Sequence, residues 1–320
     1  MQTFLNDKKM NVKPQTLKNY ESLVNNHILP VLGSIDLAKM TPRDIQNLYN
    51  SVHESGRLSD ENIQKCHTII NESMKKALTW DMINKNPAAL IDRPKARKKE
   101  MQVWSLEEAK QFLDATVRDR LHIVFLLALT TGMRQGEILG LRWKDVDFQN
   151  RIVSITQILN HDGKGFDVGA KTLSGQRPIR VDKETMDALA KHQKKSREER
   201  MKYADVYQDH GLVISTRFGG PVSPRNVNRT FERIVIGINE RLEERRKAGE
   251  VVEDDLKKIR FHDLRHTHVT MLIKNRETPQ AIAERLGWSD TRMIDNYAHI
   301  RPDIQEDVAD SFGKAFYGSN

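Results

Sequence analysis

Apolar positions recur at three- and four-residue spacing over most of the chain. In KPQTLKNYESLVNNHILPVLG, residues Leu17, Tyr20, Leu23, Val24 and Ile28 share one helical face, and Gly33 closes the segment. TPRDIQNLYNSV predicts a helix with Thr41 as N-cap, Pro42 at the first helical position and Asp44 in the first turn. SDENIQKCHTIINESMKKALTW predicts another, capped by Ser59 or Asp60. No alternating strand pattern interrupts these segments. Residues 1–92 therefore predict a small all-α domain.

DRPKARKKE breaks the pattern. Arg93, Lys95, Arg97, Lys98 and Lys99 crowd around one proline, with apolar residues nearly absent, so 93–103 predicts a linker. It reads either as a solvated charged hinge or as a strap along a phosphate backbone. From residue 104 a second domain begins. SLEEAKQFLDA carries a capping box, Ser105 with Glu108. LHIVFLLALTTGMRQGEILGLRW predicts a long buried helix, a break at Gly132 and a short helix. RIVSITQIL alternates like a strand, and DVGAKTLSGQRPIRV predicts a hairpin with Ser174 and Gly175 near its tip. Helices follow over VDKETMDALAKHQKKSREER, over NVNRTFERIV behind Ser223 and Pro224, and over AIAERL between Thr278 and Gly287. The fold class expected is mainly α with a small β-sheet.

Composition narrows the partner. The 320 residues are 38% hydrophobic and 30% charged, with a formal net charge of +8. That excess favours a polyanion, because cations set against phosphates release condensed counterions. The single cysteine, Cys66, excludes an internal disulfide and fits a reducing cytosol. The first residues, MQTFLNDKKM, lack the apolar core of a signal peptide. The longest apolar run, Ile123 to Leu129, is too short to span a bilayer. A cytoplasmic protein without a membrane partner is expected.

Three stretches carry candidate chemistry. FHDLRHTH, residues 261–268, holds three histidines, an arginine and an aspartate, a set suited to a metal or to a phosphate. His262 and His266 are four apart, as in a zinc-binding helix, but Asp263 stands where the catalytic glutamate would be and Arg265 would sit beside the metal. The phosphate reading gains from TTGMRQGEILGLRW. There Arg134 follows a glycine break at a helix start, where amides favour an anion, and Glu137 can brace its guanidinium. The third stretch, LGWSDTRMIDNYAHI, ends a helix at Gly287 and offers Trp288 and Tyr297. Taken singly, these are a surface ion pair, a core tryptophan and a half-buried tyrosine.

Taken together, arginine, then His-x-x-Arg, then Leu-Gly-Trp, then tyrosine resembles the tyrosine recombinases, the phage integrase family. The resemblance runs from about residue 10 to about residue 300 and is strongest over 130–300. It implies a helical core DNA-binding domain followed by a mixed α/β catalytic domain over 104–320. It implies that Arg134 and Arg265 clamp the scissile phosphate and that Glu137 holds the first arginine and the histidine in place. His262 would be a general acid/base that helps take the tyrosine proton. Lys171 would protonate the leaving 5′ oxygen, and Tyr297 would be the nucleophile. Trp288 stands where most members have histidine; its indole N–H can still donate to phosphate but cannot exchange a proton. His266 and His268 read as packed structural histidines, His266 donating to a backbone carbonyl.

The chemistry agrees with the residue types. In-line displacement at a phosphodiester concentrates negative charge on the equatorial oxygens, where two arginines give planar, permanently charged contacts. A tyrosine nucleophile conserves the linkage as a phosphotyrosyl ester, so religation needs no ATP. Neither a Walker A sequence nor an acidic cluster suited to Mg²⁺ is evident. The reading needs no cofactor and no metal. Lys95, Arg97, Lys98, Arg142, Arg177 and Arg225 are expected as contacts to the DNA backbone, with the two domains closing as a clamp. Further partners implied are a tetramer on two duplexes, a C-terminal tail, DIQEDVADSFGKAF, docking on a neighbouring subunit, and an accessory directionality factor. Integration and excision by a mobile element is the first biological reading, and dimer resolution the second. A type IB topoisomerase would relax supercoils without site preference. A non-catalytic DNA-binding protein would leave no covalent adduct, and a metal-dependent nuclease would be inhibited by EDTA.

Overall fold

Helix starts are set by side chains that satisfy free backbone N–H groups, and three of the expected caps form here with their bonds in place. The computed structural model describes residues 1–12, 14–96, 101–168, 176–300 and 304–318. These divide into two units, Met1–Glu100 and Met101–Asn320.

The first unit is all helix. It opens with α1 (Gln2–Lys8), which the polar character of the N-terminus had hidden. Phe4 and Leu5 are buried, and the ion pairs Lys8–Glu72 and Lys76–Asp7, both 2.9 Å, tie this helix to the segment around Glu72 and Lys76. The expected run over Leu17 to Ile28 forms as α2 (Pro14–Leu23), a π-helical turn over Val24–Ile28, and α3 (Leu29–Leu32). α4 (Pro42–Glu54) begins with the Thr41–Asp44 capping box. α5 (Asp60–Thr79) follows Ser59, whose side chain makes no capping bond. The core joins Val24, Ile28, Ile45, Leu48, Ile69 and Ile70. Cys66 lies within it, and burial pushes its thiol up to about 11, so it is inert at neutral pH.

In the second unit, the Ser105–Glu108 box starts α6 (Leu106–Thr116). α7 (His122–Thr131) is apolar all round and forms the centre of the core. Gly132, at φ 65°, ends it, and α8 (Gln135–Gly140) follows. Then come β1 (Val146–Asp147), β2 (Ile152–Ile155), β3 (Gln157–Leu159), β4 (Phe166–Val168) and β5 (Arg177–Arg180). The expected strand RIVSITQIL breaks at Thr156, whose hydroxyl bonds Asp145 and Arg142 at 2.9 and 2.8 Å. The break sends the two halves to different partners. β2 pairs with β1 and β5, with Ile152 opposite Arg180, while β3 pairs with β4. The expected hairpin is therefore not a β4–β5 pair, and its tip lies outside the described residues.

The remaining helices are α9 (Lys183–Lys202), α10 (Pro224–Lys247), α11 (Asp263–Lys274), α12 (Pro279–Leu286) and α13 (Ile304–Tyr317), with a 3₁₀ run over Thr291–Ile300 before the last. α10 is longer than its apolar pattern suggested. It continues through the charged stretch, which is laced by Arg246–Glu243 at 2.6 Å and Arg245–Glu250 at 2.7 Å. Trp104, Phe112, Phe125, Phe231 and Phe261 pack as one aromatic cluster that joins α6, α7 and α10 to the start of α11. A smaller cluster of Val269, Ile273, Ile282, Leu286 and Ile294 encloses Tyr297. Among the described residues no helix is long and apolar enough to cross a membrane.

Candidate active site

The site is assembled around the turn between α7 and α8. Gly132 takes a left-handed conformation there, and a Cβ on it would come within 2.6 Å of the His268 ring and 2.7 Å of the Leu286 side chain. This close packing brings α7, α11 and α12 together. The carbonyl of Gly132 accepts from Arg265 Nη1 at 2.5 Å, and the carbonyl of Leu286 accepts from Arg265 Nη2 at 2.8 Å. Two of the five N–H groups of that guanidinium are thereby held by backbone, and its orientation is fixed.

Arg134 caps α8. Its backbone N–H donates to Glu137 Oε2 at 2.8 Å and its Nη1 to Glu137 Oε1 at 2.9 Å. Glu137 is 2% exposed. Burial opposes its ionisation, but the charges and bonds of Arg177 and then Arg134 outweigh burial and hold the carboxyl below its ordinary value. The family resemblance implies that Glu137 holds both Arg134 and His262 in place. The structure places Arg177 in the second position instead, donating Nη1 and Nη2 to Glu137 at 3.3 and 3.2 Å and Nε to the carbonyl of Arg285 at 2.8 Å.

Arg177 was expected on the DNA backbone, and this assignment is corrected. Its side chain is buried and committed to Glu137 and Arg285. The strand pattern of β5 carried the signal: Arg177 and Ile179 alternate inward, while Pro178 and Arg180 face out.

Arg265 is 5% exposed, and burial followed by the charge of Arg134 pushes its pKa down to about 9. Three guanidiniums, Arg134, Arg177 and Arg265, thus act on one another with one carboxylate between them. The excess positive charge would be offset by an anion bound at this point.

The three histidines of FHDLRHTH diverge. His262 is exposed at the N-terminus of α11. Partial desolvation and then the charge of Arg265 lower its pKa. His266 Nδ1 bonds the phenol oxygen of Tyr297. His268 Nδ1 meets the carbonyl of Leu129 at 2.7 Å, and Arg285 Nε donates to its other nitrogen at 3.1 Å. The expected backbone-carbonyl bond therefore belongs to His268, and His266 faces the tyrosine. Among the described residues no group of three or more histidine, cysteine or acidic side chains converges as a metal site.

Tyr297 is 2% exposed and rests against Trp288 with near-parallel rings, 6.4 Å between centroids. Burial pushes its phenol up to about 12, with the charge of Arg265 opposing. Trp288 is half-buried just after Gly287, whose φ of 63° ends α12.

Lys171, Arg97 and Lys98 lie outside the described residues. Lys95 is exposed. Arg142 is held by Asp145 at 3.0 Å and by Thr156. Arg225 is exposed in the first turn of α10. Sequence reasoning missed Arg285, which joins α12 to His268, to the carbonyl of Arg180 and to that of Thr130. Nothing but its place on a helix face marks it in the sequence.

Comparison with known proteins decides the family. The model of the phage integrase family matches residues 102–303, and that of the phage integrase N-terminal SAM-like domain matches residues 1–53. The chain belongs to the phage integrase family. A tyrosine recombinase described as XerC-like, from Caldanaerobacter subterraneus subsp. tengcongensis, is 26% identical over 96% of this chain and 80% of its own length. The ICEBs1 integrase of Bacillus subtilis is 27% identical over 93% of this chain and 77% of its own. The Tn1549 transposon integrase, solved in complex with transposon right end DNA, shares the fold with a TM-score of 0.79 at 23% identity, covering 99% of both chains. This integrase is a site-specific recombinase, an enzyme of DNA strand exchange in mobile elements.

Proposed function

We propose that this integrase cleaves and rejoins DNA with Tyr297 as nucleophile and with Arg134 and Arg265 on the scissile phosphate. The observation that carries the assignment is the unbalanced cluster of guanidiniums around Glu137, one of which, Arg265, also acts on Tyr297. The tyrosine oxygen attacks phosphorus, a 3′-phosphotyrosyl ester forms, and the bond to the 5′ oxygen breaks. Lys171 supplies the proton to that leaving oxygen. His262 is the acid/base group at the phosphate, and the indole N–H of Trp288 donates to it. Glu137 keeps Arg134 in place. No cofactor enters this scheme.

Residues 1–92 act as the DNA-binding domain and 104–320 as the catalytic domain, joined by the basic stretch 93–103. Lys95, Arg97, Lys98, Arg142 and Arg225 contact the DNA backbone. Four such sites act on two duplexes, so the working form is a tetramer. α13 is its contact with a neighbour, supported by the exposed rings of Phe312, Phe316 and Tyr317. The enzyme works in the bacterial cytoplasm on the nucleoid, and an accessory factor sets its direction. The relatives named for an integrase and a transposon support excision and integration of a mobile element as its task.

The test is strand exchange between two duplexes carrying the junction of the element's ends. Recombinants formed by the wild type and lost in Arg134→Ala and Arg265→Ala support the proposal. Relaxation of supercoiled plasmid without site preference, and no recombinants, would overturn it in favour of a topoisomerase.

A further inference from the structure

If Tyr297 attacks phosphorus, its proton must leave as the new bond forms. The family resemblance gives that proton to His262. The geometry points to a different group: we propose that His266 is the catalytic base, accepting the Tyr297 proton at Nδ1. This inference rests on the assignment of Tyr297 as nucleophile.

His266 Nδ1 already holds the phenol oxygen, with the two rings 5.8 Å apart between centroids and inclined at 45°. His262 stands one ring further away. It meets His266 edge-on at 5.4 Å, and among the described residues it makes no bond to Tyr297. Among the described residues, Tyr297 also packs with the Trp288 face and with Val269, Ile273, Ile282, Leu286 and Ile294, and the charges of Arg265 and of Asp263, whose carboxylate is committed to Arg260, reach it. None of the packing side chains takes a proton. Among the described residues, His266 is the basic side chain bonded to the phenol.

The protonation state suits the role. Burial, and next the neighbouring His262, lower the pKa of His266, so the ring is neutral at physiological pH and its Nδ1 lone pair is open. An acceptor at Nδ1 requires the hydrogen on Nε2. Position suits it too. His266 follows Arg265 on α11, and Arg265 is locked to the carbonyls of Gly132 and Leu286. One rigid helix thus fixes both the phosphate clamp and the base.

The step balances. As the Tyr297 oxygen bonds to phosphorus, its proton passes to His266 Nδ1 and the imidazole becomes imidazolium. The bond from phosphorus to the 5′ oxygen breaks, and that oxygen takes a separate proton from Lys171. In religation the 5′ hydroxyl attacks, Lys171 recovers a proton, and His266 returns its own to the departing phenolate. His262 is left to act at the phosphate.

The test is single-turnover cleavage of a nicked duplex carrying the element's junction, followed from about pH 5 to pH 9. The wild-type rate should rise through an ionisation below pH 6.5 and then level. His266→Asn, which can hold the phenol but cannot take a proton, should cleave about 10²- to 10³-fold more slowly. Its rate should climb steadily with pH, as hydroxide takes over. A bridging 5′ sulfur, which leaves without a proton, should restore Lys171→Ala and not His266→Asn. The proposal is overturned if His266→Asn cleaves within about threefold of wild type with an unchanged profile. It is also overturned if the 5′ sulfur restores that variant, or if His262→Asn alone removes the low-pH limb. If His266→Asn fails to bind the duplex, the wild-type and His262→Asn profiles decide: an ionisation below pH 6.5 that persists in His262→Asn supports His266 as the base, and one lost in that variant, or a wild-type rate that climbs without a break towards the phenol's own ionisation, contradicts it. An adduct that persists in Tyr297→Phe would mean instead that the nucleophile is wrong.

Discussion

Arg177 grips both oxygens of Glu137 from one side, and Arg134 reaches the same carboxylate from the other, at 2.9 Å. The side chains of Arg177 and Glu137 are 6% and 1% exposed. Removing one partner of such a buried pair costs about 3–5 kcal/mol, because the other charge remains desolvated. Arg177→Ala is expected to lower the unfolding free energy by that order in a denaturant melt. Arg177→Lys should recover only part of it, since one ammonium cannot serve both oxygens and the Arg285 carbonyl. Cleavage should fall in both variants as Glu137, which braces Arg134, loses the second arginine that holds it.

His268 sets a pH limit on stability. Burial, and then the charge of Arg285, push its pKa down to about 4 from an ordinary 6.5. The folded protein keeps the ring neutral while the unfolded chain protonates it, so the unfolded state binds more protons between these values. Stability is therefore complete above about pH 6.5 and is lost as pH falls towards 4, by up to about 3 kcal/mol. Glu137, whose pKa is lowered from 4.5, adds a second loss at more acidic pH. Urea melts at pH 7, 5.5 and 4.5 should show the first decline, and His268→Gln should flatten it.

Arg225 and Arg177 separate contact from support. Arg225 is exposed and Arg177 is buried. If Arg225 meets a phosphate, Arg225→Ala should weaken DNA binding across sequences and reduce the salt slope by about one. Arg177→Ala should leave the slope as it was. Binding isotherms at several salt concentrations would check both, and an unchanged slope in Arg225→Ala would remove it from the interface.

Much of this was readable from residue order. Thr41, Ser105 and Thr278 marked their helices because each side chain accepts a particular backbone N–H. Gly132 and Gly287 marked helix ends because each needs a positive φ. Arg134, Arg265 and Tyr297 stand out in the sequence because few residue types suit phosphate chemistry. What could not be read was direction. His262, His266 and His268 are alike in sequence, and only the packing of α7, α12 and the 3₁₀ run decides which ring meets solvent, Tyr297 or the Leu129 carbonyl. Arg177 was misplaced for the same reason, since charge alone does not say that a carboxylate waits inside. α1 was missed because two apolar residues in a polar stretch make no period.

The most direct measurement is covalent trapping. The protein would be incubated in EDTA with a nicked duplex carrying the element's junction and run on a denaturing gel beside Tyr297→Phe. A slow-migrating protein–DNA adduct with the wild type, absent in the variant, is the result expected. Cleavage that leaves no adduct and returns only with added divalent metal would contradict the phosphotyrosyl mechanism.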